Sequence, residues 1–212
     1  MKIAVLSESP ADEAALFVLL QGLRDATMAR VFLPTPKTRG WHAVLGLLRP
    51  TLIHLHYETD AEGLVVTVDS DESPVHQRAH EQPGGALASC RLCELRRVVA
   101  AVQSSLRARQ GRGPLKVAAG LAVPAVEAWY LARLDPHVTE STWIQAMQAR
   151  RLPYTKHELK RRVYGTDRPS LVLEEECATR HARQLVETGG LPLLERLFPS
   201  GFGALADAVR TW

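Results

Sequence analysis

GLVVTVDSD, residues 63 to 71, decides the fold. The run is apolar and β-branched without polar alternation, and it stops abruptly in two aspartates, Asp69 and Asp71. A strand that is apolar on both faces has to be covered on both faces, which predicts a parallel sheet with helices on either side. A second run of the same kind, LKVAAGLAV (115 to 123), passes directly into PAVEAWYLARL, a helix with Pro124 near its first turn. Toward the N-terminus, KIAVLSE (2 to 8) reads as a strand leading through Ser9 and Pro10 into the helical ADEAALFVLLQGLRD (11 to 25). Asp12 and Glu13 stand in its first turn, where negative charge is favoured, and Ala15, Leu16, Leu19, Leu20 and Leu23 recur at helical spacing.

Between these landmarks, ARVFLP (29 to 34) reads as a further strand, closed by Pro34 and Pro36. WHAVLGLLRP (41 to 50) predicts a helix ending near Pro50, and TLIHLHYE (51 to 58) fits either a strand or more helix. ESPVHQRAHEQPGG (72 to 85) has no periodicity and reads as a loop, followed by one long helix over ALASCRLCELRRVVAAVQSSLRARQ (86 to 110). Beyond Asp135 and Pro136 only helical pieces follow: STWIQAMQARR, TKHELKRRVYG, a segment around 171 to 187, LPLLERLF and FGALADAVRTW. The expectation is an α/β domain over 1–135, with a mostly parallel sheet of about four strands flanked by helices, and an α-helical C-terminal extension over 136–212.

The chain's 212 residues are 46% hydrophobic and 23% charged, which excludes a disordered or fibrous protein. No apolar run approaches the roughly 18 residues that cross a bilayer, and the N-terminus has no signal-type apolar region, so a cytoplasmic protein without a membrane partner is expected. Three cysteines, Cys90, Cys93 and Cys177, are too few for a disulfide framework and fit a reducing compartment. The net charge of +3 conceals a division. Residues 1–82 hold 7 Lys and Arg against 11 Asp and Glu, whereas residues 83–212 hold 19 against 12. An acidic part beside a basic one suits a metal site next to a surface for polyanions, although drift in surface charge produces the same totals.

In an open parallel sheet, functional groups gather beyond the carboxyl ends of the strands. Three such ends carry acids here: Glu8, the pair Asp69 and Asp71, and Glu127. Two carboxylates about 4 Å apart repel by roughly 4 kcal/mol at an effective dielectric of 20, so the group calls for a counter-charge. A hard divalent cation, Mg2+ or Mn2+, is an economical one, since it takes one or two carboxylates and bridges to phosphate oxygens. Glu8 then reads as a third ligand or a general base, and Glu127 as part of a second metal position. Lys156 and Lys160 share a helix face, and Arg161 and Arg162 widen it into a patch for a phosphate backbone. The same stretch also reads as a solvated amphipathic helix with Leu159 and Val163 inward.

An N-terminal strand ending in Glu8, a helix directly after it, and a hydrophobic strand ending in Asp69-x-Asp71 resemble the Toprim domain. That α/β module is shared by topoisomerases, bacterial primases, overcoming-lysogenization-defect nucleases and a ribosomal RNA maturase. The resemblance implies that Glu8, Asp69 and Asp71 organise Mg2+ for phosphodiester chemistry, with Asp12 matching a further acid of the motif. AVPAVEAWYLARLDP (122 to 136) is similar to the Glu-Ala-Trp segment of a group of small bacterial Toprim-related proteins. Members of that group also carry a Lys-x-x-x-Lys stretch and a Phe-Pro-x-x-Phe element, here KHELKRRVYG and FPSGF. Two positions depart from the family pattern: Ser9 and Pro10 follow the motif Glu in place of Gly, and no Gly follows Asp71 in DSDESP. The resemblance implies a nuclease acting on DNA or RNA, working beside an ATPase partner; a protein of this length has no room for topoisomerase or primase chemistry. The alternative is a nucleic-acid-binding or partner-docking protein that keeps the fold and hydrolyses nothing.

Cys90 and Cys93, with Cys177 and His181, have spacings compatible with a structural Zn2+ site, or else are small core residues of two helices. His76 and His80 lie on the loop after the aspartates, within reach of the acidic site if that loop folds over it, or else exposed and without a role. Trp129, Tyr130, Trp143, Phe198, Phe202 and Trp212 fall among aliphatics at helical spacing and read as core.

Overall fold

A computed structural model describes residues 1–24, 28–34, 40–109 and 111–212. Asp25, Pro36 and Gln110, included in the expected elements, lie outside the described residues. The chain is α/β, with four parallel strands: β1 (Lys2–Leu6), β2 (Ala29–Val31), β3 (Gly63–Asp69) and β4 (Lys116–Ala122). Their order is β2-β1-β3-β4. All seven residues of β3 are buried, as its unbroken apolar run requires, and they pair with all seven of β4. At the edge, β2 is shorter than the expected strand over 29–34 and only half-buried, which limits the unpaired backbone that an edge presents.

Helices α1 (Pro10–Arg24), α2 (Trp41–Glu58) and α3 (Arg91–Ser105) make the connections. The expected stop near Pro50 does not occur: α2 continues through the proline to Glu58, settling TLIHLHYE as helix. Proline within a helix costs about 3 kcal/mol, but Val44, Leu48, Leu52 and Leu55 form one buried stripe on both sides of it. Each buried leucine contributes roughly 1.5–3 kcal/mol, so the stripe outweighs the break. The expected helix over 86–110 starts later, at Arg91, with Cys90 as an extended residue just before its first turn.

The rest of the chain forms α4 (Val126–Leu131), α5 (Glu140–Gln148), α6 (Lys156–Tyr164), α7 (Leu171–Glu187), α8 (Leu191–Leu197), a wide turn over Pro199–Gly203, and α9 (Ala204–Arg210). Thr155 and Glu158 form a reciprocal cap at the start of α6, which ends on Gly165 at φ 75°. Helices α2 and α3 pack on each other and on β3 and β4, while α1 packs on β1, α7 and α9, and α9 packs on β4. Leu159, Ala178, Ala182, Leu185, Phe198, Phe202 and Leu205 lie in the same core as Val5, Leu64 and Leu121. The helical C-terminal part is thus a layer of the α/β core. Phe198 and Phe202 of FPSGF are fully buried, and Trp129 meets Phe202 edge-on at 5.3 Å.

Candidate functional site

The chain leaves β1 toward β2 on one side, and β3 leads to β4 on the other, so the strand order reverses between β1 and β3. The crevice beyond the carboxyl ends of these two strands is where open α/β sheets bind ligands. Glu8 follows β1 and Asp69 ends β3, and the two meet across this crevice: the Asp69 backbone N–H donates to Glu8 Oε1 at 3.1 Å. Asp69 Oδ1 accepts the Val126 N–H at 3.1 Å, tying the end of β3 to the start of α4. Asp71 has left the strand and sits at φ 46°, a left-handed conformation that aspartate tolerates better than most residues. Its N–H donates to the Pro124 carbonyl at 2.9 Å. The two aspartates therefore converge through a turn rather than through the strand pleat.

Lys156 Nζ lies between them, 2.5 Å from Asp69 Oδ2 and 3.1 Å from Asp71 Oδ1. Arg91, in the first turn of α3, donates to the Asp69 carbonyl and to Asp71 Oδ2, each at 2.7 Å, and lies 3.8 Å from Glu8. Behind this group is a more buried one. Glu127, 4% exposed, lies 3.8 Å from Lys160 Nζ, which donates to Glu174 Oε1 at 2.8 Å. Asp12 and the hydroxyls of Tyr130 and Tyr164 belong to the same pocket of charge, and both hydroxyls are buried without a hydrogen-bond partner among the described residues.

Among the described residues, six carboxylates, those of Glu8, Asp12, Asp69, Asp71, Glu127 and Glu174, thus face three cations, Arg91, Lys156 and Lys160. The deficit of positive charge registers in the protonation of the acids. Burial, then the neighbouring Asp69, push both Glu8 and Glu127 up to about 7. Burial, with Asp69 and Glu127, pushes Asp12 well above the usual carboxylate range. Asp71 moves the other way: burial would raise it, but Lys156 and Arg91 together hold it below its ordinary value.

Of the basic residues singled out in the sequence, Lys156 and Lys160 turn toward the acids. Arg161 and Arg162 remain toward the surface and pair with Asp167 at 3.8 Å and Asp135 at 2.6 Å. Sequence reading passed over Arg91 and Glu174. Arg91 had a signal: it opens the helix that follows β3, so it had to come back to the carboxyl edge of the sheet. Glu174 had none, since its place depends on how α7 packs.

The cysteines are arranged differently from the expected quartet. His76, His80, Cys90 and Cys93 form a possible metal-binding cluster whose ligating atoms all lie within 4.8 Å of one another. Cys177 and His181 stand on α7 instead, where Arg180 donates to Cys177 Sγ and His181 stacks on Tyr130 with ring centroids 6.0 Å apart. His76 and His80 accordingly face the cysteines and not the aspartates. The reason is local: Cys90 lies outside the helix and Cys93 in its first turn, so both thiols point back to the loop that carries the histidines.

The fold and the acidic crevice define a class, a parallel α/β protein with a carboxylate cluster at its topological switch point. Comparison of the chain with protein-family models, curated proteins and solved structures finds no match in any of the three. Among the described residues, no helix is long and apolar enough to cross a membrane.

Proposed function

We propose that the protein is a Toprim-type, Mg2+- or Mn2+-dependent phosphodiesterase that hydrolyses DNA or RNA. The observation that carries this reading is the meeting of Glu8, Asp69 and Asp71 around a cation at the β1/β3 switch point. The residues fit a hard divalent ion: the donors are carboxylate oxygens, and the place between the two aspartates is already one that a positive charge fills, the Lys156 ammonium. Asp69 and Asp71 would hold the ion, with Glu8 and Glu127 completing the carboxylate set. Such an ion supplies Lewis-acid polarisation of a phosphoryl oxygen and a more acidic water.

The chain's own residues account for the rest. Glu8, beside Asp69 at the end of β1, is placed to accept a proton from the attacking water. That water gives its proton to Glu8 as it adds to phosphorus, the ester P–O bond breaks, and the leaving alkoxide takes a proton from solvent water to become the released hydroxyl. Arg91, held by the Asp69 carbonyl and Asp71, brings a fixed positive charge to the phosphoryl oxygens. Lys156 and Lys160 neutralise the cluster before substrate arrives, and with Arg161 and Arg162 they meet the nucleic-acid backbone. The tight pairing of Lys156 and Arg91 with the aspartates favours a second reading, in which these cations neutralise the cluster permanently and the protein only binds nucleic acid or a partner.

Cleavage of DNA and RNA in Mn2+ by the wild-type chain and by Asp69→Asn and Asp71→Asn tests both. The proposal expects wild-type cleavage to fall by about 10²-fold or more in each variant. Equal cleavage by variants and wild type overturns it. Binding that persists in EDTA, with no cleavage in any metal, overturns it in favour of the second reading.

A further inference from the structure

We propose that His76, His80, Cys90 and Cys93 bind a structural Zn2+ ion, separate from the acidic crevice, that folds the loop between Asp71 and Arg91. The four residues read His-x3-His and Cys-x2-Cys along the chain. His76 Nδ1 lies 3.6 Å from Cys90 Sγ and 3.5 Å from Cys93 Sγ. Zinc bonds of about 2.3 Å to sulfur and about 2.0–2.1 Å to nitrogen, set tetrahedrally, give an N···S edge of about 3.6 Å, which both His76–cysteine distances match. The His80 ring lies 5.2 Å from the His76 ring and nearly perpendicular to it, and its ligating nitrogen is within 4.8 Å of the other three ligand atoms.

The surroundings are those of a metal site. The other nitrogen of His76, Nε2, lies 3.3 Å from Glu81 Oε1 and 3.0 Å from Arg96, and Arg96 also holds Glu81 at 2.7 Å. Donation from Nε2 to Glu81 is the tautomer that leaves Nδ1 free to coordinate, and a bound ion selects it over donation from Arg96 to Nε2. Cys90 and Cys93 sit at the N-terminus of the fifteen-residue α3, whose dipole favours thiolates, while burial pushes the Cys90 thiol up to about 11, so a bound ion has to draw that proton off. Two thiolates and two imidazoles select zinc over Mg2+ or Ca2+, and four protein ligands leave no open position for catalysis.

Apart from one helical turn over Arg78–Glu81 and the Arg96–Glu81 ion pair, the loop has little to hold its shape. Between Glu72 and Ser89 only Val75 and His76 are buried, too little apolar surface to order eighteen residues. One end of this loop is Asp71 and the other is Arg91, so the ion fixes the approach of both to the crevice while contributing no ligand to it.

Metal analysis of the purified full chain tests the proposal, with Co2+ substitution as a spectroscopic probe. The expected result is about one zinc per chain, lost in Cys90→Ser/Cys93→Ser and kept in Cys177→Ser. Co2+ in the wild-type chain gives tetrahedral d–d bands with thiolate charge transfer. Glu81 is half-exposed, so Glu81→Gln leaves the fold intact and weakens zinc binding by about tenfold or more. A wild-type chain that takes up no zinc or Co2+ after reduction, zinc retained by the double serine variant, or zinc lost from Cys177→Ser overturns the assignment.

Discussion

Lys156 is the residue on which the acidic crevice turns. Its ammonium separates Asp69 from Asp71, and a divalent ion bound between the same oxygens has to displace it. Lys156→Met should therefore act in opposite directions on the empty and the loaded protein. In EDTA it leaves the aspartates facing each other and lowers stability by about 1–3 kcal/mol, measured by urea unfolding. In calorimetric titration Mn2+ binds it more tightly, on the order of tenfold, because no ammonium competes. Alongside the raised Asp12, Glu8 and Glu127 set the pH dependence. Each is raised from 4.5 to about 7, so between those limits the folded chain holds protons that the unfolded chain has released. The contribution of these acids to stability is full below pH 4.5 and is lost as pH rises through 7. In EDTA the melting temperature should fall from pH 5 to pH 8, and Glu127→Gln should flatten that slope; an unchanged slope would show that Glu127 does not titrate there. Glu8, Asp69, Asp71 and Glu127 were legible in the sequence because strand ends converge, whereas Glu174 and the inward turn of Lys156 were not, since a polar helix face is equally at home in solvent.

At the scale of elements, patterns of burial decided what was readable. The unbroken run of β3 announced its place in the sheet. Pro50 misled, because local backbone preference yielded to a tertiary stripe that crosses it. Cys90 misled for a related reason: the helix was expected to begin before it, whereas the thiol stands just ahead of the first turn and meets His76. The FPSGF turn has its own anchor. Glu140, at the start of α5, accepts the Ser200 and Gly201 N–H groups at 3.1 and 3.0 Å, and an added Cβ at Gly201 would stand 2.6 Å from the Leu121 carbonyl. Glu140→Ala leaves these buried donors without an acceptor and should cost about 1–3 kcal/mol in urea unfolding. A loss below a few tenths would show that the turn holds without its anchor.

For the whole molecule, the charge division takes on a different meaning in three dimensions. The basic C-terminal part is no separate surface: α6 brings two of its lysines into the acidic crevice, and α7 adds an acid of its own through Glu174. The expected helical extension shares one core with the sheet, which periodicity along the chain could not reveal because it says which face of a helix is apolar and not what covers it. The central claim is that this crevice is a divalent-metal site in which Lys156 holds the cation's place. Anomalous scattering at the manganese edge from crystals of the chain equilibrated with Mn2+ tests it most directly. The account predicts a peak bounded by Glu8, Asp69 and Asp71, with Lys156 withdrawn from both aspartates. No peak in the crevice, with Lys156 still bridging Asp69 and Asp71, would contradict it.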